Sequence, residues 1–125
     1  MSFPRPLSLR ERDVLGLLLA AEGFPEVGIY RVQLDQATVT GRCDCGCATI
    51  YLEVDPAAPR AAGGPADTAL PFEALGHDPA DPSRPIEVVL FARDGALASL
   101  EIVYYGDTPP LEFPDPADLE VVKLR

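Results

Sequence analysis

The chain has 125 residues, 47% of them hydrophobic, and its 10 basic and 20 acidic residues leave a net charge of −10. This length is typical of one domain with a core of its own, and the apolar fraction excludes an intrinsically disordered chain. Such an acidic chain repels phosphates, and no apolar run approaches the roughly 20 residues that span a bilayer. We therefore expect neither nucleic-acid nor membrane binding and, without a recognisable signal peptide, a cytoplasmic location.

The first 35 residues are predicted to hold a proline-containing arm, residues 1–7, and a helical part, residues 8–35. Ser8 and Glu11 have the spacing of a capping box, so a helix should begin there. Apolar residues then recur with helical spacing, at Val14, Leu17, Leu18 and Ala21. The helix is expected to end near Gly23, since glycine is a common C-terminal cap.

Residues 25–34 fit two secondary structures. Pro25 and Glu26 are typical of the first turn of a helix. Tyr30, Val32 and Leu34 also alternate with polar residues, which is typical of a strand. We favour a second helix and keep the strand as the alternative.

Residues 37–125 are predicted to be rich in β-structure. The stretch "ATVTGR" leads into three cysteines, and "ATIYLEVD" leads out of them. Ile50, Leu52 and Val54 alternate with polar or aromatic residues, as in a half-buried strand. The cysteines are therefore expected where two antiparallel strands reverse.

A long, partly mobile loop is expected over residues 56–85, which contain half of the 14 prolines. Within it, "LPFEALG" is predicted to dock one helical turn through Phe72 and Leu75. The Pro-rich tail then returns apolar residues to the fold. There Leu111 and Phe113 should pin the tail, and residues 119–122 should add an edge strand.

The clearest element is a hairpin at Asp94-Gly95, a dipeptide typical of two-residue β-turns. Counting outward from this turn pairs Arg93 with Ala96 and divides the hairpin into two faces. The face predicted to meet the helices carries Val89, Phe91, Ala98, Leu100, Ile102 and Tyr104. The other, mixed face carries Ile86, Val88, Leu90, Leu97, Ser99, Glu101 and Val103.

Together these elements predict one α+β domain over residues 1–125. One or two N-terminal helices should pack on an antiparallel sheet of four or five strands, built mostly from hairpins. The chain shows no internal repeat.

The three cysteines, Cys43, Cys45 and Cys47, are the first candidate for a functional site. In an extended strand the outer two would lie about 13 Å apart, too far for sulfurs that must each sit about 2.3 Å from one ion. A tight turn at Asp44 and Gly46 would bring them together, since glycine adopts positive φ.

Zinc would need a fourth ligand, and His77, the chain's one histidine, is the candidate. Copper(I) accepts two or three soft thiolates and is the other metal considered. Two further interpretations stay open for the cysteines. A transient disulfide would make them a redox device, whereas packing as small apolar side chains, which we favour, would make them structural.

We expect a non-enzymatic binding protein, since the chain offers no recognisable catalytic residues. Its docking surface is predicted on the mixed face, at Ile86, Val88, Leu90 and Val103, with Tyr104 and Tyr105 as further contacts. The partner would be a protein, one with a basic surface or a second copy of the chain. A thiolate metal module is the first alternative and a thiol-dependent redox protein the second, with no cofactor expected unless the cysteines hold zinc.

The motif CxCGC at residues 43–47 and the hairpin "RDGALASLEI" occur together with the opening "RERDVLGLLLAAEGFP". In this combination the chain resembles a family of small, uncharacterised bacterial proteins from high-GC genomes. The resemblance implies a soluble bacterial domain. It implies no activity and assigns no functional residue.

Overall fold

The computed structural model describes residues 3–21 and 26–123. Within them, two helices pack on a seven-stranded antiparallel sheet, which confirms the α+β class. The elements are β1 (Arg5–Pro6), α1 (Leu9–Ala20), α2 (Val27–Leu34), β2 (Ala37–Arg42), β3 (Ile50–Val54), β4 (Thr68–Asp78), β5 (Asp81–Arg93), β6 (Ala96–Tyr104), a 3-10 turn (Pro116–Asp118) and β7 (Glu120–Lys123). Across the sheet the order is β1-β2-β3-β6-β5-β4-β7.

Helix α1 begins at the predicted capping box. The Ser8 hydroxyl accepts from the Glu11 backbone N–H at 3.1 Å, and the Glu11 carboxylate accepts from the Ser8 N–H at 2.8 Å. Arg5 adds two parallel bonds to the same carboxylate, at 2.8 and 2.9 Å, and ties β1 to the helix start. The predicted stop at Gly23 lies outside the described residues.

The second helix is confirmed over the strand alternative. It buries one glutamine side chain where it packs on the sheet. Gln33 is fully buried and donates to the carbonyls of Pro59 and Gly95, both at 2.8 Å. Its side-chain oxygen accepts from the Leu97 N–H at 2.9 Å. One side chain therefore joins α2 to the tip of the β5–β6 hairpin.

The predicted strand count was too low, because two of the seven strands were missed. The arm at residues 1–7 contains β1, which pairs with β2 over two residues, Arg5 opposite Val39 and Pro6 opposite Thr38. The segment predicted to be a loop contains β4, which lies between β5 and β7.

The prediction of a loop over residues 56–85 is therefore wrong beyond residue 67, and "LPFEALG" is strand rather than a helical turn. Two prolines of this segment, one in β4 and one in β5, sit where the pairing is incomplete. Pro71 falls in the irregularity between Ala69 and Glu73, and Pro85 pairs with β4 before the β5–β6 pairing begins. Proline is tolerated at such positions because no ladder hydrogen bond needs its missing N–H.

The hairpin turn is confirmed, with Arg93 opposite Ala96 and both turn residues, Asp94 and Gly95, at positive φ. A bulge follows, since Phe91 pairs with Ser99 while Ala92 pairs with Leu97. The extra residue, Ala98, shifts the rest of β6 by one position relative to a regular ladder. A shift of one residue exchanges the two faces of a strand.

The predicted faces of the hairpin are therefore wrong in part. Leu100, Ile102 and Tyr104 of β6 lie on the helix side as predicted. Val89 and Phe91 of β5, predicted on the same face, lie on the other. Opposite residues share a face, and the pairs on the helix side are Ile86 with Tyr104, Val88 with Ile102 and Leu90 with Leu100. Ile86, Val88 and Leu90 are 2%, 0% and 0% exposed. They belong to the core that the helices cover, so they cannot form the predicted docking surface.

The tail behaves as predicted at two of three points. Strand β7 pairs with β4 at the sheet edge, and Phe113 is buried. Leu111 is 67% exposed instead and does not anchor the tail. Neither helix in the described part of the chain has the length and apolar character that a membrane crossing requires.

Candidate metal centre

The three cysteines occupy the connection between β2 and β3, as predicted. The Gly46 N–H donates to the Cys43 carbonyl at 3.1 Å and closes a turn, with Gly46 at φ +88°. The Cys43 N–H donates to the Thr49 carbonyl at 3.2 Å, which closes the base of the connection. This turn replaces the extended arrangement that would have kept the sulfurs apart.

The turn brings all three sulfurs together. The Sγ atoms of Cys43, Cys45 and Cys47 lie within 4.8 Å of one another, and those of Cys43 and Cys45 are 3.3 Å apart. Sulfurs bound at about 2.3 Å to one ion lie about 3.8 Å apart in a tetrahedral site and about 4.0 Å apart in a planar three-coordinate site. The observed spacing therefore needs only small side-chain adjustments to accept an ion.

The thiols differ in their access to solvent. Cys47 is buried, Cys43 is half-buried and Cys45 is exposed. On the buried side, Ala48 donates to the Pro110 carbonyl at 2.9 Å, and Arg42 donates to the Cys47 carbonyl at 3.3 Å. The sulfur cluster thus has one side fixed to the fold and one side open to solvent.

Tyr104, at the end of β6, stabilises the exposed thiol as a thiolate. The hydrogen bond from the Tyr104 hydroxyl is the main reason that the pKa of Cys45 falls to about 6. The Cys47 backbone N–H and the neighbouring thiols lower it further. The same bond raises the pKa of Tyr104 to about 12.

The pKa of Cys43 is shifted in the opposite direction, upward. The Cys45 backbone N–H is the largest single influence on it and lowers its pKa. The hydrogen bond to the Cys45 sulfur, burial and Cys47 together outweigh that influence, so the pKa of Cys43 is raised. The hydrogen bond between the two sulfurs, 3.3 Å apart, thus lowers the pKa of Cys45 and raises that of Cys43.

Tyr51 flanks the cluster from β3 and is 43% exposed. Its pKa is raised by desolvation and then by the charges of Cys43 and Glu101. Neither Tyr51 nor Tyr104 was assigned to the cysteine site from the sequence. The β3–β6 register carries the missing signal, since Ile50 lies opposite Leu100 and continuing that register brings Tyr104 beside Gly46.

His77, the predicted fourth ligand, lies on β4 and is exposed. Strands β6 and β5 separate β4 from β3, which places it about 14 Å away at three strand spacings. Within the described residues, the group of mutually close ligand atoms contains the three sulfurs and no histidine or carboxylate. The structure therefore does not bring His77 to the cysteines.

The fold places the predicted docking residues in three different surroundings. Ile86, Val88 and Leu90 are core residues, and Tyr104 lies beside the cysteines. Val103 and Tyr105 are 37% and 58% exposed. The Tyr105 hydroxyl donates to Glu87 at 2.5 Å.

Comparison with protein-family models, with curated proteins and with solved structures found no match to the chain. The predicted likeness to a bacterial family accordingly stays a prediction. What the protein does has to be argued from the geometry of its own side chains.

Proposed function

We propose that this protein binds one thiophilic metal ion, zinc or copper, through the thiolates of Cys43, Cys45 and Cys47. The observation that carries the proposal is the convergence of three sulfurs within 4.8 Å in a turn of five residues. Packing of small apolar side chains does not account for this convergence, since Cys45 is exposed.

The protonation states also support metal binding. Thiolate is the form that binds metals, and a Cys45 pKa of about 6 makes this ligand available near neutral pH. The Cys43 proton would leave as the ion arrives, because metal binding and thiol protonation compete for the same sulfur.

Titration of the reduced protein with Cd²⁺, followed by thiolate-to-metal charge-transfer absorbance, tests this function. One equivalent should bind. Serine at position 43, 45 or 47 should weaken binding by about 100-fold or more, since losing even an outer-shell partner of a metal ligand costs about 10- to 100-fold. His77→Ala is the matched control and should leave the affinity unchanged. Equal affinity of wild type and the three serine variants would contradict the proposal.

A second candidate function is docking of a protein with a basic surface, and the outer face of the sheet favours it. The register places four glutamates from β3–β6 on the face opposite the helices: Glu53, Glu73, Glu87 and Glu101. Glu73 has a raised pKa from burial and from the Glu87 charge, so these carboxylates repel one another. A cationic partner would relieve that repulsion.

Binding of poly-L-lysine by calorimetry at low salt tests the second function. The triple change Glu73→Gln, Glu87→Gln, Glu101→Gln should abolish binding. A control with three neutralised acids elsewhere, Asp13→Asn, Asp107→Asn and Glu112→Gln, removes the same charge and should retain it. Equal losses in both triple variants would show an effect of net charge alone and would contradict docking at this face.

A further inference from the structure

We propose that the ion held by the cysteine turn is copper(I), bound by three sulfurs in a three-coordinate site. This inference rests on the proposed metal-binding function and names the ion that the ligand set fits best. No electron moves in the binding step: Cu⁺ forms three Cu–S bonds, and the thiols release the protons they still carry.

The number of ligands is the first argument. In the part of the chain that the structure describes, three sulfurs converge and no histidine nitrogen or carboxylate oxygen joins them. Asp44 lies within the turn, yet its carboxylate is not part of the group. Structural zinc sites almost always have four protein ligands, whereas copper(I) is satisfied by soft sulfur donors alone.

The neighbouring phenols do not supply a fourth ligand. The Tyr104 hydroxyl, which lowers the pKa of Cys45, is a hard oxygen donor of the kind that copper(I) does not prefer. Tyr51 offers the same kind of hard oxygen, which copper(I) does not prefer. Both rings therefore flank a site made of sulfur alone.

The framework around the sulfurs supports the same conclusion. Three backbone bonds hold the turn: from Gly46 to Cys43, from Cys43 to Thr49 and from Ala48 to Pro110. These bonds fix the backbone that carries the three sulfurs, and an ion can reach them from the exposed side at Cys45. A small closed triangle of thiolates is suited to one ion per chain.

The test uses the full chain, reduced and without oxygen, and copper(I) supplied as its bicinchoninate complex. Release of the coloured chelator should give one copper per chain. X-ray absorption should show three sulfur neighbours at about 2.3 Å and no nitrogen or oxygen. When equimolar copper(I) is added to the Zn²⁺-loaded protein, copper should displace the zinc.

The possible results distinguish the assignment of copper(I) from the proposed metal binding on which it rests. Retention of Zn²⁺ against copper(I), or copper bound by two sulfurs with the third thiol still open to alkylation, overturns the assignment of copper(I) and leaves metal binding intact. Failure to bind copper, zinc and cadmium overturns both. Cys47→Ser discriminates further, since a site with three sulfurs should then hold copper through two, and a two-sulfur site of Cys43 and Cys45 would be unchanged.

Discussion

Among single residues, Tyr104 has the strongest predicted influence on the chemistry of Cys45. Its hydroxyl is the main cause of the low Cys45 pKa of about 6. Tyr104→Phe removes that hydrogen bond, so the Cys45 pKa should rise toward the ordinary value for cysteine, about 8.5. The pH dependence of the alkylation rate at Cys45, followed by mass spectrometry, measures this change.

Tyr105→Phe is the matched control, because its hydroxyl is bonded to Glu87 rather than to a cysteine. It should leave the alkylation profile of Cys45 where it is in the wild type. An unchanged profile in Tyr104→Phe would mean that the phenol does not stabilise the thiolate.

Gln33 is the residue that holds α2 to the β5–β6 hairpin. Gln33→Leu keeps the size but removes three hydrogen bonds, two of them buried, and leaves the buried Leu97 N–H without that partner. The free energy of unfolding should fall by about 2 to 3 kcal/mol, the typical cost of unsatisfied buried polar groups. Urea denaturation measures it. Gln36→Ala, at an exposed position, should change stability by less than about 0.5 kcal/mol.

At the scale of elements, the start of α1 makes stability depend on pH. Burial by itself raises the pKa of Glu11, but the bonds from Arg5 and Ser8 outweigh it and hold the pKa below its usual value. A lowered folded-state pKa contributes stability above the unfolded pKa of about 4.3 and loses it as the pH falls through the folded value.

Glu11→Gln should therefore reduce stability at pH 7 and flatten the decline of stability below about pH 4.5, relative to the wild type. Denaturant unfolding at a series of pH values measures both effects. Parallel acid profiles in the two proteins would show that this ion pair is not responsible.

The turn of the β5–β6 hairpin depends on a glycine for two separate reasons. Gly95 has φ +75°, and a Cβ there would lie 1.8 Å from the Ala61 carbonyl oxygen. Gly106 has φ +99° with nothing within 4 Å of a Cβ. Gly106→Ala should cost about 1 to 2 kcal/mol for its backbone alone, and Gly95→Ala should cost clearly more because the clash is added. Thermal unfolding of the two variants compares them, and equal losses would rule out the contact with Ala61.

The elements with local signals were predictable from the sequence. The capping box of Ser8 and Glu11, the Asp94-Gly95 turn and the alternation through Ile50 and Val54 each depend on neighbours in the chain. Strand β4 was missed because Pro71 and the prolines around it are typical of loops, and only the pairing with β5 shows that Pro71 lies at an irregularity of the ladder. The faces of the hairpin were missed because the bulge at Ala98 has no signature in the sequence.

At the scale of the whole molecule, the candidate site shows the same division. The three cysteines and their turn follow from the residues at positions 43–47. Which other residues lie near the cysteines follows from the pairing of β3 with β6. This pairing brings Tyr104 close and leaves His77 three strands away. Without that register, the sequence suggests histidine as the fourth ligand and does not show that a tyrosine lies beside the cysteines.

The central claim is that three thiols act as one ligand set, and differential alkylation read at each cysteine by mass spectrometry tests it most directly. One equivalent of copper(I) or Zn²⁺ should protect Cys43, Cys45 and Cys47 together and to the same degree, although Cys45 is the exposed member of the three. If metal leaves Cys45 and Cys43 as reactive as before, the cysteines are separate side chains in a turn and the account is wrong.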